Sequence, residues 1–388
     1  MEFMAERIKG ALRALAALIA LCMLWAAGVA LSAPALAEAR AYIYGGSADD
    51  ALGSMAVSGD GRIVMAGYTN STDGTLASRT KTGRSGWALC VDAQGEALWS
   101  FCTRLGDHDV LTAPVFHEDG SVTLILEAEV LASGEQEIEL LRLDRAGEVL
   151  FRKTLMKTGG DMAYIDYAYS TGEGYVVSWS DKQARSLGSA LFDWDAERVR
   201  ELGPLPDSRV FARSEGHVLR ESGNMRVLFA VDARGGETTL DAEALPVNTI
   251  AGTDISSLIS LEDGGAAGVG TANNTEDYAA RQGLFIRWDA QGNRVFEWWL
   301  EGVEQLYSVI KTPDGFAALG ESADGAQSWV LVTFGEDGIR RGSVPLGGRE
   351  TLAWGSGGLA LLPDGSLAAI QKKDGDMRMV IVPKEDVP

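Results

Sequence analysis

The sequence has few of the residues from which catalytic and metal centres are built. Its three histidines, His108, His117 and His217, form no His-x-x-x-His pair, and none stands beside a pair of cysteines. The spacing typical of zinc ligands is therefore missing. The sequence also has no Gly-x-Ser-x-Gly, no Gly-x-x-x-x-Gly-Lys and no Gly-x-Gly-x-x-Gly. These absences argue against a nucleophile elbow, a phosphate-binding loop and a dinucleotide fingerprint.

Basic residues are also scarce. The chain has 34 Lys and Arg against 55 Asp and Glu, a net charge of −21. Nucleic acids and anionic lipids need clustered cations, so we expect neither as a partner. The acidic surface is compatible with a soluble protein, with cation binding or with a basic partner.

A long apolar run occurs only at the N-terminus. Arg7, Lys9 and Arg13 precede 24 uncharged residues, Ala14 to Ala37, which end in a small-x-small pattern. This arrangement predicts a signal peptide over residues 1–37 and hence an exported protein, extracellular or associated with the cell envelope. An uncleaved membrane anchor is the alternative. Residues 38–388 are predicted to form one domain with a net charge of −22, because the first 37 residues hold three cations and two anions.

Two cysteines, Cys90 and Cys102, follow the predicted cleavage site. A hairpin centred on the turn between them would place them about five ladder positions apart, roughly 16 Å. A disulfide allows about 7 Å between Cα atoms. We therefore predict two free thiols.

An acidic residue followed by glycine recurs between apolar runs. The gaps between successive pairs are 59, 54, 42, 48, 51 and 50 residues. Such a pair predicts a tight β-hairpin turn, because glycine accepts the positive φ that the turn requires. The seven pairs are Asp60-Gly61, Asp119-Gly120, Glu173-Gly174, Glu215-Gly216, Asp263-Gly264, Asp314-Gly315 and Asp364-Gly365.

A second turn follows each of the first six pairs, with a short strand-like run on either side. One repeat is therefore four strands, named a to d in chain order. Four-stranded units repeated every 40–50 residues are typical of β-propeller blades, which stack around an axis to bury their faces. The second turns are Asp92-Ala-Gln-Gly95, Asp144-Arg-Ala-Gly147, Asp195-Ala196, Asp232-Ala-Arg-Gly235, Asp289-Ala-Gln-Gly292 and Glu336-Asp-Gly338.

The first and last strand-like runs predict the number of blades. The seventh repeat has runs for strands a, b and c, the last at Arg378 to Val382, and none for strand d. Arg40 to Tyr44 is a lone run before the first strand a. We therefore predict an all-β fold, a seven-bladed β-propeller of four-stranded blades whose last blade is closed by the N-terminal strand. Closure of this kind removes two free sheet edges.

The first repeat resembles a known kind of blade. Tyr-Gly-Gly-Ser with paired Asp, then Asp-Gly, then Ala66 to Asp73, then Leu98-Trp99, is similar to the propeller repeats of bacterial secreted and cell-surface proteins. Asp92-x-x-Gly95-x-x-x-Trp99 resembles the tryptophan-docking motif of quinoprotein-type propellers, one residue short of it. The resemblance implies a propeller fold and carries no specific activity.

Each connection from a strand d to the next strand a carries an acid. In a propeller these connections surround the mouth of the central channel on one face. In one interpretation the acids form a negatively charged funnel for a basic ligand or a cation, Ca²⁺ being possible. In the other they accept backbone N–H bonds and lock the turns. The second interpretation is favoured. The candidate ligand-binding acids are Asp50, Asp109, Asp161, Asp207, Asp254, Glu304 and Glu350.

Long polar loops and tryptophans are the other candidate binding features. The b-to-c loops at 69–86, which holds Arg79, Lys81 and Arg84, and at 271–282 belong on the same face as the acids, and loops on a rigid scaffold often bind ligands. Regularly placed tryptophans are predicted to pack between blades. Adjacent Trp298 and Trp299 point to opposite faces of a strand, so one of them should be less buried.

These patterns favour a non-enzymatic binding module over an enzyme. We expect an exported β-propeller that binds a protein or carbohydrate at the cell surface or outside the cell, as a monomer and without a cofactor other than the possible Ca²⁺. Contact with a membrane would occur only through an uncleaved N-terminal segment. The alternative is a secreted hydrolase or lyase with channel-mouth carboxylates as acid and base. A quinoprotein-like envelope scaffold is a third hypothesis. No catalytic residue and no metal ligand is assigned.

Overall fold

A computed structural model describes most of the chain after residue 39. The described residues are 40–388 without 77–82, 104, 131–134, 158–161, 182–185, 203–209, 214–215, 223–224, 233–236, 241–244, 247–252, 274–280, 324–327, 349–357 and 374–375. The predicted signal peptide at 1–37 lies outside them. In the described part, no helix is long and apolar enough to cross a membrane.

Seven antiparallel sheets make up the fold, and each is a meander of the predicted order a, b, c, d. Blade 1 contains β2 (Asp50–Val57), β3 (Ile63–Thr69), β4 (Ser85–Val91) and β5 (Ala97–Cys102). Blade 2 contains β6 (His108–Phe116), β7 (Val122–Val130), β8 (Glu135–Leu143) and β9 (Val149–Lys157). Blade 3 contains β10 (Met162–Thr171), β11 (Gly174–Asp181), β12 (Ser186–Asp193) and β13 (Arg198–Glu201).

The remaining blades follow the same plan, except that two short strands share the outer position of blade 4. Blade 4 contains β14 (Val210–Arg213), β15 (His217–Ser222), β16 (Met225–Val231), β17 (Glu237–Thr239) and β18 (Leu245–Pro246). Blade 5 contains β19 (Thr253–Ser260), β20 (Ala266–Asn273), β21 (Arg281–Trp288) and β22 (Arg294–Leu300). Blade 6 contains β23 (Val303–Thr312), β24 (Gly315–Ser322), β25 (Ser328–Phe334) and β26 (Arg340–Gly348). Blade 7 contains β27 (Gly358–Leu361), β28 (Leu367–Lys373), β29 (Asp376–Val382) and β1 (Arg40–Tyr44). Two single-turn 3-10 helices span Gly74–Leu76 and Lys384–Asp386.

The seven blades close into a ring, as predicted. Each strand a contacts the strand a of the next blade, and β27 contacts both β23 and β2. The N-terminal strand β1 pairs antiparallel with β29, from Arg40 opposite Ile381 to Tyr44 opposite Met377. The strand d of blade 7 therefore comes from the start of the propeller.

The apolar core is divided into clusters between neighbouring blades. Ile63, Trp87 and Ile370 pack between blades 7 and 1, for example, and Phe285 and Phe316 pack between blades 5 and 6. Trp87, Trp288 and Trp329 are at most 1% exposed, which confirms that these tryptophans pack between blades. A four-stranded sheet has two apolar faces, so each blade needs a neighbour on both sides.

Among the predicted second turns, the fourth lies partly outside the described residues. In the sixth, Gly335 takes the place of the first Asp, and the Asp337 carboxylate accepts the Ile339 N–H. The first, second and fifth turns share one hydrogen-bond pattern. In the first, the Asp92 carboxylate accepts the backbone N–H groups of Gln94 and Glu96, and Gly95 has a φ of 83°. Blade 3 departs from the predicted position. Asp193, not Asp195, is the accepting residue there, and Ala196 occupies the glycine position with a φ of 63°. The predicted turn is wrong by two residues in its accepting acid, because the sequence has no glycine to mark the position.

Glycine in these turns also makes room for the preceding blade. A Cβ atom on Gly147, in the second turn of blade 2, would lie 2.8 Å from the indole of Trp99 on β5. A Cβ atom on Gly95 would lie 2.5 Å from the ring of Tyr42 on β1. The outer strand of one blade thus packs an aromatic ring onto the turn of the next.

The hairpin that contains both cysteines is shifted from the predicted register. Cys90 lies opposite Trp99 and Cys102 lies opposite Trp87, because a bulge follows Cys90. Cys90 and Trp87 are three positions apart, so about 10 Å of strand separates the two cysteines. Cys90 and Cys102 form no disulfide with each other, as predicted.

Candidate functional site

Two of the predicted channel-mouth acids are enclosed in the connections that carry them. Asp50 and Asp109 are both 0% exposed. The Asp50 carboxylate accepts hydrogen bonds from the Gly46 N–H at 2.8 Å and from the hydroxyls of Thr69 and Ser71 at 2.5 and 2.8 Å. Both oxygen atoms are therefore occupied by the protein itself.

Asp109 is held in the same way. Its carboxylate accepts the Thr103 hydroxyl at 2.6 Å, the Leu105 N–H at 3.1 Å and the Gly106 N–H at 2.7 Å. These contacts correspond to the turn-locking interpretation, in which the acid fixes the connection between two blades. A carboxylate in such a cage is not presented to a ligand.

Two of the other predicted acids are less buried. Asp254, at the start of β19, is exposed, and Glu304, at the start of β23, is half-buried. Asp161, Asp207 and Glu350 lie outside the described residues. The ligand-binding role of the seven acids therefore stays a prediction.

A concave pocket is lined by one residue of blade 1 and seven of blade 2, on the face that carries the b-to-c loops and the d-to-a connections. We call this face the loop face and the opposite one, with the a-to-b and c-to-d turns, the turn face. The pocket has a volume of about 160 Å³. Its lining comes from the residue before β4 and from the loop-face ends of β6, β7 and β8, namely Arg84, His108, Val110, Glu127, Ala128, Glu129, Gln136 and Glu137. The backbones of Arg84 and His108 form a parallel bridge, which ties the two blades together at this point.

An arginine stacked on a tyrosine forms the blade 1 side of the pocket. The Arg84 guanidinium lies over the Tyr68 ring, 4.2 Å from its centroid. The Tyr68 hydroxyl donates to the Asp49 carboxylate at 2.9 Å. Burial, together with this bond to Asp49, raises the pKa of Tyr68. The Nε–H of Arg84 is buried and has no acceptor among the described residues.

Blade 2 contributes glutamates from both faces of its sheet, since Glu127 and Glu129 alternate with Ala128, which lies opposite Glu137. Glu129 lies 3.4 Å from the Nδ1 atom of His108, and both side chains are more than a third exposed. Glu137 accepts the Thr154 hydroxyl at 2.6 Å and pairs with Lys157 at 2.9 Å. Burial acts to raise the pKa of Glu137, but the bonds from Thr154 and Lys157 outweigh it and the pKa lies below its ordinary value. A general acid needs a raised pKa instead.

The described residues contain no candidate metal site. Within the described ranges, no group of three or more His, Cys, Asp or Glu could hold a metal ion. Binding of Ca²⁺ therefore stays a prediction.

Sequence reasoning located this pocket only in part. Arg84 belongs to the long b-to-c loop of blade 1 that was singled out as a place of binding. The three glutamates and His108 were not singled out, because they lie on strands rather than in loops. The signal that could have indicated them is the run Glu127-Ala-Glu129 at the end of a strand b, where alternation places both carboxylates on one side of the sheet.

The tryptophan pair on blade 5 differs from our expectation. Trp298 and Trp299 are each 44% exposed, although we expected one to be more buried. Both lie on β22, the outer strand of its blade.

Comparison with known proteins supports the fold. No family model matches the sequence, and no curated protein does. A chain in the crystal structure of a mitotic checkpoint complex has a TM-score of 0.53 and 15% identity, with 89% of this chain and 91% of that chain covered. The WD40 domain of Neurospora crassa Pan2 has a TM-score of 0.53 and 11% identity, with 86% and 89% covered. At such identities the likeness shows the β-propeller fold alone.

Proposed function

We propose that this protein is an exported, non-enzymatic β-propeller that binds a partner through its loop face, at the cell surface or outside the cell. The observation that carries the proposal is the pocket lined by charged residues at the loop-face ends of the blade 2 strands, together with Arg84 of blade 1. Propellers present loops from every blade on one face of a rigid ring, and ligands commonly bind there. Neighbours in structure include a WD40 domain and a chain of a checkpoint complex, which is in keeping with an interaction module.

The charge of the chain favours the same proposal. At a net charge of −21, the surface attracts basic partners and repels polyanions. Export rests on the N-terminal sequence pattern, which precedes the described residues. A protein partner suits the pocket better than a carbohydrate one, because charged side chains rather than open aromatic faces line it.

No described feature favours the hydrolase or lyase alternative. An acid and a base need carboxylates that can reach a substrate. Asp50 and Asp109 are enclosed by hydrogen bonds, and Glu137 has a lowered pKa.

Fractionation combined with surface binding tests the proposal. The tagged protein should be recovered outside the cytoplasm, and the purified protein should bind to intact cells of the organism that produces it. Charge reversal on the loop face, Glu129→Lys, should reduce this binding about tenfold, whereas Glu118→Lys on the turn face of the same blade should not. Retention in the cytoplasm, or equal losses from the two variants, would refute the proposal.

A further inference from the structure

We propose that residues 383–388 form a strap that fastens blade 7 to blade 6, in place of a turn that blade 7 lacks. Strand d of blade 7 is β1, from the other end of the propeller sequence, so the described residues after β29 form no c-to-d turn. The strap is a second closure of the ring, beside the pairing of β1 with β29. It stabilises the ring and is independent of what the loop face binds.

The c-to-d turns seal the contacts between neighbouring blades elsewhere in the ring. In three cases the third residue of an outer strand is aromatic and packs its ring onto the turn glycine of the next blade. Phe151, the third residue of β9, similarly packs against the cluster that contains the turn residue Ala196. A void at such a place would forfeit packing contacts. The three pairs are Tyr42 with Gly95, Trp99 with Gly147 and Phe296 with Gly338.

The outer strand of blade 6 has glycine at the position of these aromatic rings. The third residue of β26 is Gly342. A Cβ atom on Gly342 would lie 2.4 Å from the Cβ atom of Pro388, and the three nearest atoms all belong to Pro388. The proline therefore occupies the space next to the outer strand that an aromatic ring occupies in the other blades. The glycine occurs in the one outer strand whose next blade has no c-to-d turn to receive a ring.

A hydrogen bond holds the strap on blade 6. Thr333 on β25 is 4% exposed, and its hydroxyl donates to the backbone oxygen of Pro388 at 3.0 Å. Thr333 lies opposite Gly342 in the sheet, so both face the same side of blade 6. Loss of the strap would take away the acceptor of this hydroxyl as well as the packing of the proline ring.

The start of the strap lies against blade 7. A Cβ atom on Gly365, in the a-to-b turn of blade 7, would lie 2.8 Å from the Cδ atom of Lys384. The strap then forms a single 3-10 turn, in which the Asp386 N–H donates to the carbonyl of Pro383 at 3.0 Å. The strap therefore contacts a turn of blade 7 at one end and the outer strands of blade 6 at the other.

A shortened chain tests the strap as a whole. A variant that stops at Val382 should melt at least about 2 °C below the full chain, as loss of one or two contacts does in a large domain. Hydrogen exchange should become faster in β26 and β29, which border the strap, and stay unchanged in β7 and β8 of blade 2.

A double-mutant cycle in full-length chains tests the contact itself. Gly342→Ala should lower the Tm, because its methyl group and the proline ring of residue 388 need the same space. The φ of Gly342 lies outside the left-handed region, so the methyl group adds no backbone strain there. In a chain with Pro388→Gly, which keeps the backbone acceptor of Thr333, Gly342→Ala should lower the Tm by at most about half as much.

Gly59→Ala is the matched control for this cycle. Gly59 also has a φ outside the left-handed region, and no atom lies within 4 Å of its new Cβ. It should therefore shift the Tm equally with proline or glycine at position 388. Circular dichroism establishes that each variant is folded.

Three results would overturn the strap. The first is a shortened chain that melts at the same temperature as the full chain. The second is faster hydrogen exchange to the same extent in blades 2, 6 and 7, which would show a general loss of stability. The third is a Tm loss from Gly342→Ala that does not depend on residue 388. If the shortened chain does not fold, the cycle in full-length chains decides.

Discussion

Replacing Asp109 with alanine should destabilise the propeller by about 2–4 kcal/mol. The substitution removes the acceptor of three hydrogen bonds, from the Thr103 hydroxyl and the N–H groups of Leu105 and Gly106. A buried donor left unsatisfied costs about 1–3 kcal/mol. The Thr103 and Gly106 donors are buried and the Leu105 N–H is partly buried, so two full penalties and part of a third apply. Release of a carboxylate from a 0% exposed site offsets part of the loss.

Urea unfolding followed by tryptophan fluorescence measures this loss. The matched control is Asp254→Ala, since Asp254 occupies the corresponding place in blade 5 and is exposed. The control should change the free energy of unfolding by less than about 1 kcal/mol, as surface substitutions usually do. If Asp109→Ala stays within about 0.5 kcal/mol of the unaltered protein, or if the two variants lose equal stability, the turn-locking explanation is wrong. A shift of the unaltered protein's midpoint on adding chelator would instead favour a cation at these acids.

Three further predictions concern a turn, a carboxylate and a thiol. Gly147→Ala should destabilise the protein by about 2 kcal/mol or more, because it adds a clash with the adjacent indole to the strain of a positive φ. Gly302→Ala is also at a positive φ, but no atom lies within 4 Å of the new Cβ. It should therefore lose only the stability that the backbone strain costs. The hydrogen bond from Ser58, with help from Arg62, lowers the pKa of Asp60 to about 2. This carboxylate therefore contributes stability above its ordinary pKa and loses it as the pH falls through about 2, so Asp60→Asn should flatten the acid limb of a stability–pH curve. Burial raises the pKa of Cys90 to about 12, so iodoacetamide at pH 8 should label Cys90 only after unfolding.

Each of the three has an outcome that would contradict it. Equal losses from the two glycine variants would show that the aromatic contact does not constrain the turn. An unchanged acid limb in Asp60→Asn would show that its carboxylate is not selectively bonded in the folded state. Rapid labelling of Cys90 in native protein, measured by peptide mapping, would show that the space between blades 1 and 2 opens readily.

The blade plan could be predicted because it rests on local chemistry. Asp followed by Gly specifies a turn through two neighbouring residues, and the turns recur at nearly constant spacing. Blade 3 shows the limit of this reasoning. Ala196 takes the positive φ without being glycine, since its methyl group is buried in the cluster between blades 2 and 3. Packing there outweighs the local preference, and sequence alone does not reveal the packing.

The exposure of a strand residue could not be predicted from alternation alone. Trp298 and Trp299 point to opposite faces of β22, yet both are 44% exposed. Alternation decides which face a side chain occupies, whereas the position of the strand in the blade decides whether anything covers that face. Alternation likewise does not predict that Arg84 joins the blade 2 residues of the pocket, because the two blades become neighbours only when they stack.

The acids of the d-to-a connections show why a shared motif does not fix a shared role. Asp50 pairs with Thr69 in blade 1, and Asp254 pairs with Thr271 in blade 5, at the same register. The Thr69 hydroxyl donates to the Asp50 carboxylate, whereas the Thr271 hydroxyl lies within hydrogen-bond distance of the backbone carbonyls of Gln282 and Glu304. The carboxylate is enclosed in blade 1, whereas Asp254 is exposed in blade 5. Since the alternative acceptor belongs partly to the next blade, the role of each acid depends on how its own pair of blades is packed, and each acid has to be tested separately.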